Sequence, residues 1–173
     1  DRTWVNGVMR EDLLPARACV PNGMDDPDNP PTWDDITLGS HDGAARVAVL
    51  DEEGIERSLL FPSMYLLSGD IAEADVAAAA CHAYNEWVSD MCRDGSGSLD
   101  AVGLVPLQSV EAATREVAHI AQLGLKGVSF RPERYNGLPL HDEALEPFWN
   151  AVADQGLFAA VHGSFGSHMP SFA

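Results

Sequence analysis

The sequence predicts an α/β fold in which parallel strands alternate with helices. Three observations predict it. Short apolar runs, "RSLLFP", "DAVGLVP", "KGVSFR" and "LFAAVH", recur along the chain, stretches with apolar residues at helical spacing separate them, and glycines or prolines punctuate the junctions.

Residues 1–173 read as one domain, with an irregular, loop-rich segment over residues 1–41 and four β/α units over residues 42–173. Prolines and aspartates in "NGMDDPDNPPTWDDI", residues 22–36, exclude regular structure and predict a solvated excursion. "DGAARVAVLDEEG" has an acidic start, apolar Ala45, Val49 and Leu50, and Gly54 as a stop, which predicts a helix with a glycine cap. "RSLLFP" is a short buried strand ended by Pro62. The longest helix runs from Ile71 to Met91 and closes at Gly95, and the strand "DAVGLVP" follows, stopped by Pro106. Ser109 is placed to cap the next helix, which shows Val117, Ile120 and Leu123 on one face and ends at Gly124. The third strand is "KGVSFR". The loop "PERYNGLPLH" leads to a helix in "DEALEPFWNAVADQG", capped by Asp142, and the fourth strand is "LFAAVH". Its five consecutive apolar residues, Leu157 to Val161, predict burial on both faces.

Strands joined through helices run parallel and cross over right-handedly, so their carboxyl ends share one rim. In α/β folds that rim carries function. Neither GxGxxG after a strand nor GxxxxGK[ST] occurs, which removes most support from a nucleotide-binding, doubly wound sheet and favours a closed or partly closed (β/α) barrel.

Ten basic against twenty-seven acidic residues give a formal charge of −17, a field that repels nucleic-acid phosphates and anionic lipid surfaces. No apolar run approaches the roughly 18 residues that cross a bilayer, and no secretory signal is visible. Cys19, Cys81 and Cys92 show neither paired count nor CxxC spacing, so reduced thiols in a cytoplasm are expected. The chain starts at Asp1 and stops just after a strand and loop, and reads as a piece of something longer.

His162 raises the sharpest question, because a buried strand ends in an imidazole and opens at once into "GSFGSH". A neutral imidazole on a rigid strand end keeps a fixed direction, and Gly163 and Gly166 let a substrate or metal approach the backbone. His162 is therefore a metal ligand or an acid/base group, or else a histidine bonded to a neighbouring loop. Arg131 ends the third strand at the same rim and suits a substrate carboxylate, the alternative being an ion pair with a loop aspartate. His168 either lines the mouth or is solvated. His82 and His119 fall inside helices, His41 and His141 lie near helix starts, and local hydrogen bonding suffices for all four. The tryptophans Trp4, Trp33, Trp87 and Trp149 read as packing. "GSFGS" lacks the helix that a nucleophile elbow needs, so no catalytic residue is assigned.

From about Gly39 onward the chain resembles the amidohydrolase-related proteins of the aminocarboxymuconate semialdehyde decarboxylase type. The resemblance is carried, in order, by "GSHDGAARVAVLDEEGIERSLLFPS", "AYNEWVSDMC", "AVGLVPLQSVEAATREVAHIAQLGLKGVSFRP", "LPLHDEALEPFWNAVADQGL" and "AAVHG". It implies a (β/α)8 barrel with a divalent metal at its rim, usually zinc, and a small-molecule substrate. It also implies that His162, at the end of "FAAVH", ligates the metal. The family's His-x-His pair is absent here, and its late aspartate and histidine would lie past Ala173. A whole barrel takes eight strands and about 250 residues, so the expectation is a partial barrel. Its parent would be a hydrolase or a non-oxidative decarboxylase of a small carboxylated or aromatic compound. The competing expectation is a non-catalytic half-barrel completed by pairing with a second copy, a homodimer.

Overall fold

The computed structural model describes residues 3–5, 8–10 and 32–163. Two compact units are distinguished, Leu59–Ser89 with Asp100–Ala173, and Asp1–Ser58 with Asp90–Leu99.

In the second of these, strands β1 (Thr3–Val5) and β2 (Val8–Arg10) pair antiparallel, a short hairpin inside the stretch read as irregular. Helix α1 spans Gly43–Glu53. The Asp42 carboxylate accepts the Ala45 N–H at 2.8 Å, satisfying one of the amides a helix start leaves open, and Gly54 takes the left-handed cap at φ 70°. Gly43 lies against the end of helix α2 (Ala74–Asp94), where an added Cβ would come within 2.2 Å of the Met91 carbonyl oxygen.

The larger unit holds most of the parallel sheet, whose strand order is β3 (Ser58–Leu60), β4 (Leu99–Leu104), β5 (Gly127–Phe130) and β6 (Phe158–Val161). Register runs from Val102↔Gly127 across β4 and β5 to Gly127↔Phe158 across β5 and β6. Helices α3 (Val110–Gln122) and α4 (Glu146–Asp154) make the crossovers. Ser109 caps α3 by accepting the Ala112 N–H, as the sequence predicts, while Asp142 accepts from Ala144 to cap the 3-10 turn Glu143–Leu145 that leads into α4.

The two central strands are buried almost throughout. Val128 and Phe130 turn to the helices, where Phe130 meets Phe148 and Trp149 edge-on at 6.0 and 5.7 Å. Gly103 lets helices α2 and α3 press close on β4, since a Cβ there would stand 2.6 Å from Ile120 Cγ1 and 2.9 Å from Asn85 Oδ1. Asn85 is fully buried on α2 and clamps β4 by donating to the Leu104 carbonyl and accepting from the Leu104 N–H. A buried amide answered on both sides contributes stability as well as register.

The two-sided burial expected for the apolar strands holds for β4 and β5 but not for β6. Phe158 and Val161 are 42% and 56% exposed, and on the β3 side Leu59 and Phe61 are 40% and 45% exposed. The reason is position: β3 and β6 are the outer strands of the sheet, each paired with one neighbour.

Candidate functional site

The carboxyl ends of β3 to β6 carry Phe61, Val105, Arg131 and His162. Arg131 and His162 follow the last register pair, Phe130↔Val161, so strand alternation places them side by side on one face. The His162 N–H donates to the Phe130 carbonyl at 3.0 Å, carrying the β5–β6 pairing one residue past the strands.

His162 is exposed, and its Nδ1 lies 2.6 Å from the Gly163 carbonyl oxygen. A carbonyl oxygen only accepts, so Nδ1 carries the hydrogen, and in the neutral ring Nε2 keeps the lone pair. A backbone carbonyl that fixes the ring in this way is a common partner of metal-ligating histidines. The ring also tilts against Phe61 at 6.3 Å between centroids.

Arg131 reaches the rim, but its side chain is 1% exposed. Nη1 donates to Asp70 Oδ2 at 3.1 Å, Nη2 to Asp70 Oδ1, and Nε to Glu133 Oε1 at 2.8 Å. Of the two readings open to the sequence, this is the ion pair with a loop aspartate. Burial works against the guanidinium charge, yet the hydrogen bonds it donates to Asp70 and then Glu133 outweigh it and hold the group above its ordinary value.

Several rim loops meet on this pair. Asp70 closes a 3-10 segment, Met64–Asp70, and Gly69 lets its backbone lie flat on the ions, because a Cβ there would stand 2.5 Å from Glu133 Oε1. Gln108, in the loop after β4, donates to the carbonyls of Ser68 at 2.7 Å and Ile71 at 3.0 Å. The Tyr135 hydroxyl accepts the Arg131 N–H at 3.1 Å, and burial, then the Glu133 charge, raises the phenol's pKa. Asp70, Gln108 and Glu133 escaped sequence reading because nothing in local spacing shows which loops converge. His168 and Cys19 lie outside the described residues, while Cys81 is a buried free thiol.

Among the described residues no group of three ligand-type side chains includes His162. Since a catalytic zinc takes about three protein ligands, His162 fits a metal as one member of a larger set. His82 and His119, to which the sequence assigned local hydrogen bonding, face carboxylates of the other helix instead: His82 Nδ1 lies 3.3 Å from Glu116 Oε2, and His119 Nε2 stands 2.9 Å from Glu86 Oε1 without a hydrogen bond between them. No helix among the described residues is long and apolar enough to cross a membrane.

The amidohydrolase family model matches residues 31–173. No curated protein sequence matches significantly. Among solved structures, the IDCase of Metarhizium anisopliae in apo form is similar at 26% identity and TM-score 0.63, over 82% of this chain and 37% of that one. An amidohydrolase of Mycobacterium avium subsp. paratuberculosis is similar at 26% identity and TM-score 0.63, over 73% of this chain and 35% of that one. A dihydroxybenzoic acid decarboxylase of a Polaromonas species, with bound manganese and the inhibitor 2-nitroresorcinol, shares 22% identity at TM-score 0.63 over 69% and 37%. The chain thus spans little more than a third of the length of these structures. Four parallel strands alternating with helices, matched to part of larger chains, make a partial (β/α) barrel. With the family model covering most of its length, the chain belongs to the amidohydrolase family.

Proposed function

We propose that this chain supplies one side of a metal-dependent barrel enzyme, a decarboxylase or hydrolase of a small carboxylated aromatic compound, in which His162 is a metal ligand. One observation carries the reading: an exposed imidazole at the carboxyl end of β6 has Nδ1 tied to a carbonyl and Nε2 left with its lone pair. The family match and a neighbour described as a benzoic acid decarboxylase with bound manganese support the substrate class and the divalent ion. When bound, such an ion supplies a Lewis acid toward a carboxylate or carbonyl oxygen.

The chain's own residues hold the surroundings of that ion. Arg131 is a positioning residue that ties the Asp70 and Glu133 loops together at the rim, its guanidinium being engaged by both carboxylates. His168, outside the described residues, keeps from the sequence its place as a candidate substrate contact. The free thiol of Cys81 is consistent with the reducing cytoplasm the sequence suggests. The resemblance implies zinc, the Polaromonas structure contains manganese, and elemental analysis identifies the ion in this protein.

The test is the metal content of the full-length protein beside its His162→Ala variant. Occupancy falls in the variant if His162 is a ligand; equal metal content in the two overturns the assignment.

The exposed apolar residues of the outer strands favour a second reading, a non-catalytic half-barrel whose edges pair with another copy. Light scattering on the 173-residue chain separates the two, because a defined dimer supports pairing and polydisperse aggregates count against it.

A further inference from the structure

We infer that helices α2 and α3 carry a divalent-metal site of the zinc type, built from His82, Glu86 and His119. One ligand atom from each lies within 4.8 Å of the other two. His82 and Glu86 are four residues apart on α2, so helical geometry stacks them on one face, and His119 comes from α3. The two imidazoles stack at 4.3 Å between centroids, with 25° between their planes.

The cluster has the support a metal site requires. Glu116, 8% exposed, lies with Oε2 3.3 Å from His82 Nδ1. Its other oxygen accepts from Asn85 Nδ2 at 2.8 Å, and Asn85 is itself fixed to Leu104. A carboxylate that takes the Nδ1 hydrogen of a histidine sets the tautomer and leaves Nε2 as a donor of electrons, the arrangement seen behind metal-bound imidazoles. This carboxylate is held by a fully buried amide, so the His82 ring is aimed before any cation arrives.

His119 supplies an independent observation. Its Nε2 is screened from water and makes no hydrogen bond, although Glu86 Oε1 stands 2.9 Å away. A nitrogen and a carboxylate oxygen at that separation, out of line for a shared hydrogen, are an electron-rich pair that a cation would satisfy. Two imidazoles and one carboxylate form a borderline donor set that suits zinc better than magnesium or calcium, with water in the fourth position. The His82 and Glu86 side chains are 53% and 48% exposed, so small rotations can shorten the ligand separations without disturbing the core. The site is independent of the role assigned to His162.

Full-length protein stripped with a chelator and reloaded with zinc or cobalt tests the inference. Wild-type protein takes up about one equivalent more than His82→Ala, Glu86→Ala or His119→Ala, while His162→Ala keeps that equivalent. With cobalt, the same three substitutions reduce the visible absorption of a tetrahedral ion. Far-UV circular dichroism verifies that each variant is folded, and Glu86→Ala removes an exposed side chain that folding does not require. Equal metal uptake and equal cobalt spectra in wild type and all three variants overturn the proposal and leave the cluster as proton-linked His–Glu pairs.

Discussion

The rings of Phe61 and His162 lie 6.3 Å apart, although they end the two outer strands of a four-stranded sheet. Laid flat, strands about 4.8 Å apart would separate those strands by about 14 Å. The sheet is therefore curled, as a barrel wall is, and its concave face brings the outer strands' side chains together. Phe61→Leu should shift the His162 imidazole resonances in a heteronuclear NMR spectrum by removing the ring current, while those of His82 and His119 stay in place. Unmoved His162 signals would count against the curl.

Arg131 holds the rim loops. Replacing it with methionine leaves Asp70 and Glu133 without their cation, an uncompensated burial that typically costs about 3–5 kcal/mol. Arg131→Lys should recover little of the loss, since an ammonium cannot span both carboxylates as the planar guanidinium does. Urea denaturation of the two variants measures both effects.

Asn85 answers three groups, the Leu104 N–H, the Leu104 carbonyl and Glu116. Asn85→Leu keeps the volume and abandons all three. At about 1–3 kcal/mol for each buried group left unsatisfied, the variant should lose at least about 3 kcal/mol by chemical denaturation. A loss under 1 kcal/mol would mean that water replaces the amide.

Cys81 is fully buried, and burial pushes its thiol from the ordinary 9.0 up to about 12, partly opposed by a Ser68 hydrogen bond. Between those values the unfolded chain has released a proton that the folded chain retains, so stability should fall as pH rises through that window. Cys81→Ala should flatten the decline. Native protein at pH 8 should leave Cys81 unreactive toward a thiol reagent that labels it at once in denaturant.

The sequence alone carries the succession of strands and helices, because Ser109, Asp142 and Gly54 mark helix ends by local chemistry that the structure repeats. It also places His162 at the carboxyl rim, since strand direction follows from the crossovers. Burial of β6 was misread because five apolar residues look alike in a central and an outer strand, and only the strand order distinguishes them. The partners of Arg131 were illegible for a related reason. Asp70 is distant in sequence, and its approach depends on Gly69, whose missing side chain makes room that no periodicity reports. The spacing of His82 and Glu86 was in plain view, but without α3 beside it an i, i+4 pair is ordinary.

Taken by themselves, Asp70, Arg131 and Glu133 sum to one formal negative charge at the end of β5. An anion approaching that mouth climbs a potential, and a cation descends it. Under the function proposed above, an anionic substrate would be held off by these carboxylates until their charge is offset.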